Sequence, residues 1–158
     1  MSAVARRYYV RAMEALRRGE IDTARDDLRA ALDLAPYFIN ARTSFASLLA
    51  RAGEANRAAQ LLRDGLKDEQ RAGRTHSPGV ISLHRSLGEV LIAAGDYRGA
   101  EASFSAAAEA GQRAGVPQRD LADRLARLRA KTGRFAEALD QLLIAARAAQ
   151  APTPPSVD

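Results

Sequence analysis

The chain has 158 residues, enough for one domain with its own core, and its 47% hydrophobic and 27% charged residues are the balance of a soluble globular protein. It has no cysteine, which excludes disulfides and thiolate metal sites, and no stretch approaches the ~20 apolar residues of a membrane span. The net charge of +5 raises the question of nucleic acid. Only Lys67 and Lys131 of the 24 basic residues are lysine, however, and the 19 acids are interspersed with the arginines at helical spacing, as in Asp27, Arg29 and Asp33. Such mixing reads as solvated helix faces, and 5% aromatics leave few platforms for stacking bases. Met1 to Arg11 carries arginines without an apolar run of signal-peptide length, so a cytoplasmic location is expected.

Apolar residues recur at intervals of three and four, so the whole chain reads as helix. The first predicted helix covers 3–18 and stops at Gly19; the second covers 21–35 and stops at Pro36. The third, 38–52, stops at Gly53, and the fourth covers 55–72. An insertion within 68–79 lengthens the fourth helix and adds a loop of Thr75, His76, Ser77, Pro78 and Gly79. Helices follow at 80–94, stopping at Gly95, and at 97–113, with a second insertion within 111–119 that contains Pro117. The last two cover 118–132, stopping at Gly133, and 135–149. The tail 151–158, with Pro152, Pro154 and Pro155, cannot continue a helix and is expected to be disordered.

One phrase unites these elements. Each of Gly19, Gly53, Gly95 and Gly133 closes a helix and is followed five positions on by an alanine: Ala24, Ala58, Ala100 and Ala138. A glycine there suits the left-handed conformation that a Cβ disfavours. The glycines are 34, 42 and 38 positions apart, and 34 is the period of a helix–turn–helix array. With the glycine counted as position fifteen, the small residues at positions eight and twenty are Ala12/Ala24, Ala46/Ala58, Gly88/Ala100 and Ala126/Ala138, and larger residues follow at Leu28, Leu62, Phe104 and Leu142. Small residues let paired helices approach closely, while large ones fill the space between pairs.

Over 5–150 this pattern resembles tetratricopeptide (TPR) repeats, in four units at 5–37, 38–78, 80–116 and 118–150 within a single domain of 1–150. The longer spacings are similar to the 42-residue variant of kinesin light chains. The family's signature tryptophan is absent, and Arg42 and His84 stand at its position. The resemblance implies an all-α, right-handed superhelical solenoid of eight helices. It also implies a non-catalytic protein–protein interaction module, an adaptor or scaffold, whose first helices line a concave face where a peptide lies.

The positions that face the groove in that family are Arg6, Tyr9, Val10, Met13, Leu16 and Arg17 in the first repeat, and Asn40, Thr43, Ser44, Ser47, Ala50 and Arg51 in the second. The third contributes Ser82, Arg85, Ser86, Glu89, Ile92 and Ala93, and the fourth Asp120, Asp123, Arg124, Arg127, Ala130 and Lys131. The face runs from apolar and aromatic, through small and polar, to arginine-rich, with seven bases against three acids. An extended acidic or mixed apolar–acidic segment complements it, with carboxylates on the arginines and an apolar side chain at Tyr9 and Met13. The competing reading is that these arginines solvate a helix face and pair with neighbouring acids. Receptors in this family for the C-terminus of Hsp70 or Hsp90 carry a carboxylate clamp; its five positions are here Tyr9, Met13, Ser44, Ser82 and Ser86, all departures, so that role is rejected. A secretion or assembly chaperone, or a peptide-sensing regulator, remains the alternative; RNA or DNA binding through Arg85, Arg124 and Arg127 is less favoured.

In the final helix Leu143 and Ile144 occupy positions held elsewhere by Arg29/Ala30, Arg63/Asp64 and Ser105/Ala106. Terminal solenoid units normally need a polar outer face, so this pair points to a homodimer contact or a docking site, the competing readings being that the C-terminal tail folds back over it or that the native chain continued. Catalysis has little support. His76 and His84 lack metal-site spacing, no nucleophile elbow or phosphate loop occurs, and paired acids such as Asp26 and Asp27 read as solvated charges. No cofactor is expected.

Overall fold

The computed structural model describes residues 2–116, 118–133 and 135–150, with the side chains at 135, 136, 138 and 148–150 left out of the description. Among the described residues the chain forms eight helices and no strand: α1 (Ala3–Arg18), α2 (Ile21–Leu34), α3 (Ile39–Arg51), α4 (Ala55–Arg71), α5 (Pro78–Ala93), α6 (Tyr97–Arg113), α7 (Arg119–Lys131) and α8 (Phe135–Gln150). Every expected helix is present, with ends shifted by no more than two residues. The disorder expected for 151–158 lies outside the described residues.

The glycine phrase is a set of helix ends. Gly19, Gly53, Gly95 and Gly133 all have φ between 78° and 84°, where an L side chain is strained. Gly73 and Gly115 do the same after α4 and α6, at the two insertions, where the phrase does not repeat. Successive helices then pack as hairpins, α1 on α2, α3 on α4, α5 on α6 and α7 on α8, and the hairpins stack through α2 on α3, α4 on α5 and α6 on α7. Ala24, Ala58 and Ala100 are fully buried in the hairpin seams. Leu28, Leu62 and Phe104 are also fully buried, within one core cluster that runs from Ala5 to Leu128.

Three local features depart from the sequence reading. The first insertion is not a loop through Gly79, because α5 begins at Pro78. Ser77 caps it, its Oγ accepting from the Val80 N–H at 3.2 Å, and proline at the first helical position lacks only an N–H that would have no partner. The loop before it is held by Glu69, a buried carboxylate that accepts from Arg74 Nη2 at 2.6 Å and from Ser77 Oγ at 2.9 Å. The hydrogen bond from Arg74 leads, with that from Ser77 assisting, in holding the Glu69 carboxyl below its ordinary range.

Arg42, at the position of the signature tryptophan, is buried. Its guanidinium donates to the Leu61 carbonyl at 3.2 Å, to the Pro36 carbonyl, and to Asp68 Oδ2 at 3.1 Å. A buried charge is tolerable only when so paired. The space comes from Gly65 on α4, where a Cβ would meet Arg42 Cδ at 2.8 Å. Arg42 thus takes the large-residue slot with an aliphatic stem and a satisfied polar head.

Asp27 corrects the reading of Asp26 and Asp27 as solvated. Asp26 is exposed, but Asp27 is buried and takes both oxygens to the Arg11 guanidinium on α1. The two residues are 16 positions apart, so only the hairpin fold brings them together.

Candidate binding groove

The first helices of the four pairs, α1, α3, α5 and α7, supply the expected facing residues, and the structure separates these into three hollows. Between α3 and α5 lies a depression of about 310 Å³, with Ala50, Val90 and Ala93 among its apolar lining and Thr43, Ser47, Arg51, Ser86 and Glu89 around them. Between α5 and α7 lies a second, of about 480 Å³, where Ile92, Tyr97 and Leu128 are overhung by Asp120, Asp123, Arg124, Arg127 and Lys131. Arg6 and Val10 belong to neither; with Ala3, Arg7, Arg11 and Glu14 they line an open hollow on α1 alone.

The N-terminal end offers less free apolar surface than expected. Tyr9 packs its ring on Phe38, with centroids 5.0 Å apart at 55°, and Met13 and Leu16 are half-buried against the core. Arg17, Asn40 and Ser44 line none of these hollows. Two hydroxyls of the middle section turn back on their own helices: Thr43 Oγ1 donates to the Asn40 carbonyl at 3.1 Å, and Ser82 Oγ to the Pro78 carbonyl at 3.0 Å.

The groove bases fall into two groups. Arg85 on α5 reaches across to α7, donating from Nη1 to Asp120 Oδ1 at 3.0 Å and to Gln118 Oε1 at 2.7 Å, and from Nη2 to Asp120 Oδ2. This fork on a carboxylate, ahead of every other influence, holds Asp120 below its ordinary pKa. Arg124 completes the lattice with an ion pair to Glu89 and a longer approach to Asp120 at 3.9 Å, its guanidinium 5.8 Å from the centre of the buried Phe104 ring. Arg85 and Arg124 therefore bind α5 to α7, as the competing reading anticipated. By contrast Arg6, Arg17, Arg51, Arg127 and Lys131 have no acidic partner among the described residues. Lys131 rests 4.5 Å above the Tyr97 ring, within cation–π range.

Tyr97, Gln118 and Val90 join the site without having been read from the sequence. Tyr97 opens a second helix, so a rule that selects first helices passes over it. Gln118 precedes α7 and owes its role to a turn geometry that repeat counting does not describe.

His84 stays at a packing position, half-buried beside Leu66, Gln70, Thr75 and Val80, and burial lowers its pKa. No group of three or more His, Cys, Asp or Glu with metal-site geometry occurs among the described residues. Nor is any described helix long and apolar enough to cross a membrane. On α8, Leu143 and Ile144 are 48% and 56% exposed, and Leu139 and Leu142 join them at 58% and 47%, so the apolar face is larger than the expected pair.

No family model matches this sequence, and no curated protein sequence does. Solved structures do match. BtubC (BKLC) from P. vanneervenii is 21% identical, with 98% of this chain and 68% of that one aligned at a TM-score of 0.78. The kinesin light chain TPR-like repeats from Podosopora anserina are 15% identical over 99% of this chain and 82% of theirs, also at 0.78. TTC0263, a thermophilic TPR protein in Thermus thermophilus, is 22% identical over 87% and 70%, at 0.66. The eight helices, paired and stacked as hairpins and similar in fold to such proteins, make this chain a TPR-type solenoid of four helical hairpins.

Proposed function

We propose that the chain is a non-catalytic interaction module, an adaptor or scaffold, whose concave face binds an extended acidic segment of a protein partner. The observation that carries this is the division of the groove bases. Arg85 and Arg124 are committed to Asp120 and Glu89, while Arg51, Arg127 and Lys131 stand at the two hollows with no acidic partner among the described residues. A guanidinium next to a small apolar depression suits a carboxylate flanked by an apolar side chain. Ala50, Val90 and Ala93 accept the apolar side chain; Arg127 and Lys131 accept the carboxylates. The exposed face of α8 is a second protein-contact surface, separate from the groove.

The test is fluorescence anisotropy with labelled extended peptides in which leucines alternate with aspartates or, as the control, with asparagines. The acidic peptide is expected to bind, with affinity falling as salt rises. Arg51→Glu combined with Arg127→Glu is expected to weaken it by roughly tenfold or more through charge reversal. Equal binding of the asparagine peptide would remove the charge assignment. Tighter binding of a single-stranded RNA of equal length, with a steep salt slope, would replace a peptide by nucleic acid.

A further inference from the structure

The position of Leu142 in its repeat exposes a break in the pattern. Its equivalents Leu28, Leu62 and Phe104 are fully buried, each second helix being covered by the first helix of the next pair. Leu142 is 47% exposed, because no described helix follows α8. A further repeat of the same kind would account for Leu142 alone. It would not account for Leu143 and Ile144, because α2, α4 and α6 are covered in that way and carry Arg29/Ala30, Arg63/Asp64 and Ser105/Ala106 there. The extra apolar residues belong to α8 only, so its cover differs from that of the other second helices.

The charges on α8 select that cover. Asp140 and Arg147 are both exposed and hold no ion pair among the described residues. They are seven positions apart, two helical turns, and so share one line along the helix. Leu143 and Ile144 lie between them, each three or four positions from both. Two copies of α8 laid antiparallel about a two-fold axis between Leu143 and Ile144 set each Asp140 against the other copy's Arg147, twice over, with the apolar residues in the middle. A parallel pairing would oppose Asp140 to Asp140 and Arg147 to Arg147. Antiparallel contact also continues the up-and-down order of a hairpin array.

We propose that this face is an isologous dimer interface between two copies of the chain, formed by antiparallel α8 helices with reciprocal Asp140–Arg147 ion pairs. The inference deepens the reading of α8 as a protein-contact surface and is independent of what the groove binds. A 16-residue helix is about 24 Å long, and a single pair of that length makes an interface at the small end of the specific range, so the dimer is concentration-dependent.

Sedimentation velocity across a concentration series tests it. The wild-type chain is expected to pass from monomer to dimer, and Leu143→Asp to remain monomeric with unchanged helical circular dichroism. Asp140→Arg alone, which opposes Arg to Arg, is expected to weaken dimerisation by roughly tenfold or more, and Arg147→Asp alone to do the same. The double exchange of Asp140→Arg with Arg147→Asp restores the opposite-sign contacts and is expected to recover the wild-type dimer. A wild-type chain monomeric at every concentration overturns the proposal. So does a dimer that ignores these substitutions, or a double exchange no better than the singles. Arg51→Glu with Arg127→Glu leaves dimerisation intact, which separates the failure of this idea from that of the groove.

Discussion

Gly88 on α5 and Phe104 on α6 are a size-matched pair, and Gly88→Ala tests that match. A Cβ built on Gly88 would lie 2.6, 2.7 and 2.8 Å from three atoms of the Phe104 ring, and Phe104 is fully buried. Overpacking of this kind costs about 1–3 kcal/mol. Alanine in a helix interior returns about 0.5–1 kcal/mol relative to glycine, so the net expectation is a loss of about 1–2 kcal/mol. Phe104→Leu alone loses about 1 kcal/mol through the space it leaves. The other repeats hold the alternative combination, since the equivalent positions, at the same interval of 16 residues, are Ala12 with Leu28 and Ala46 with Leu62, all four fully buried. The double substitution Gly88→Ala with Phe104→Leu rebuilds that combination. It should lie within about 1 kcal/mol of wild type, a favourable coupling of about 2 kcal/mol between contacting residues. Urea unfolding followed by circular dichroism reads this directly: the midpoint should fall by about 0.5–1 M for Gly88→Ala and return in the double variant. A raised midpoint in Gly88→Ala, or losses that simply add in the double variant, would refute the reasoning.

Gly53→Ala makes the opposite comparison. Nothing lies within 4 Å of its Cβ direction, so the expected loss of about 1–2 kcal/mol comes from a φ of +84° alone, and an unchanged unfolding midpoint would contradict it. Glu69→Gln should destabilise the chain at neutral pH by weakening the bonds to Arg74 and Ser77. The folded pKa of Glu69 is depressed, so its contribution is complete above the ordinary 4.5 and is lost as pH falls through the folded value. Thermal melts should therefore show wild type and Glu69→Gln converging as pH drops below 4.5, and a gap of constant size would refute the assignment.

The hairpin architecture is legible in the chain because its causes are local and periodic. A left-handed glycine, a five-residue step to a buried alanine and an apolar stripe at intervals of three and four each need only near neighbours. The same locality brought α5 to within two residues of its start, and Ser77 followed by Pro78 marks that start, since a cap followed by proline is also a local signal. Charge does not share that locality. Asp27 looks like its exposed neighbour Asp26 until α1 folds back and Arg11 reaches it. Arg85 and Arg127 look equally free until Asp120, 35 positions beyond Arg85, closes on one of them.

The amino-acid sequence by itself determined that the chain folds into four helical hairpins, where each helix stops and which small residues form the seams, because backbone strain and helical period act within a few residues. Only the tertiary structure decided which groove bases are neutralised, how Arg42 occupies an aromatic slot and how far the apolar face of α8 extends. Those outcomes depend on groups far apart in the chain, brought within a few ångströms by the stacking of hairpins, where burial and ion pairing set their state.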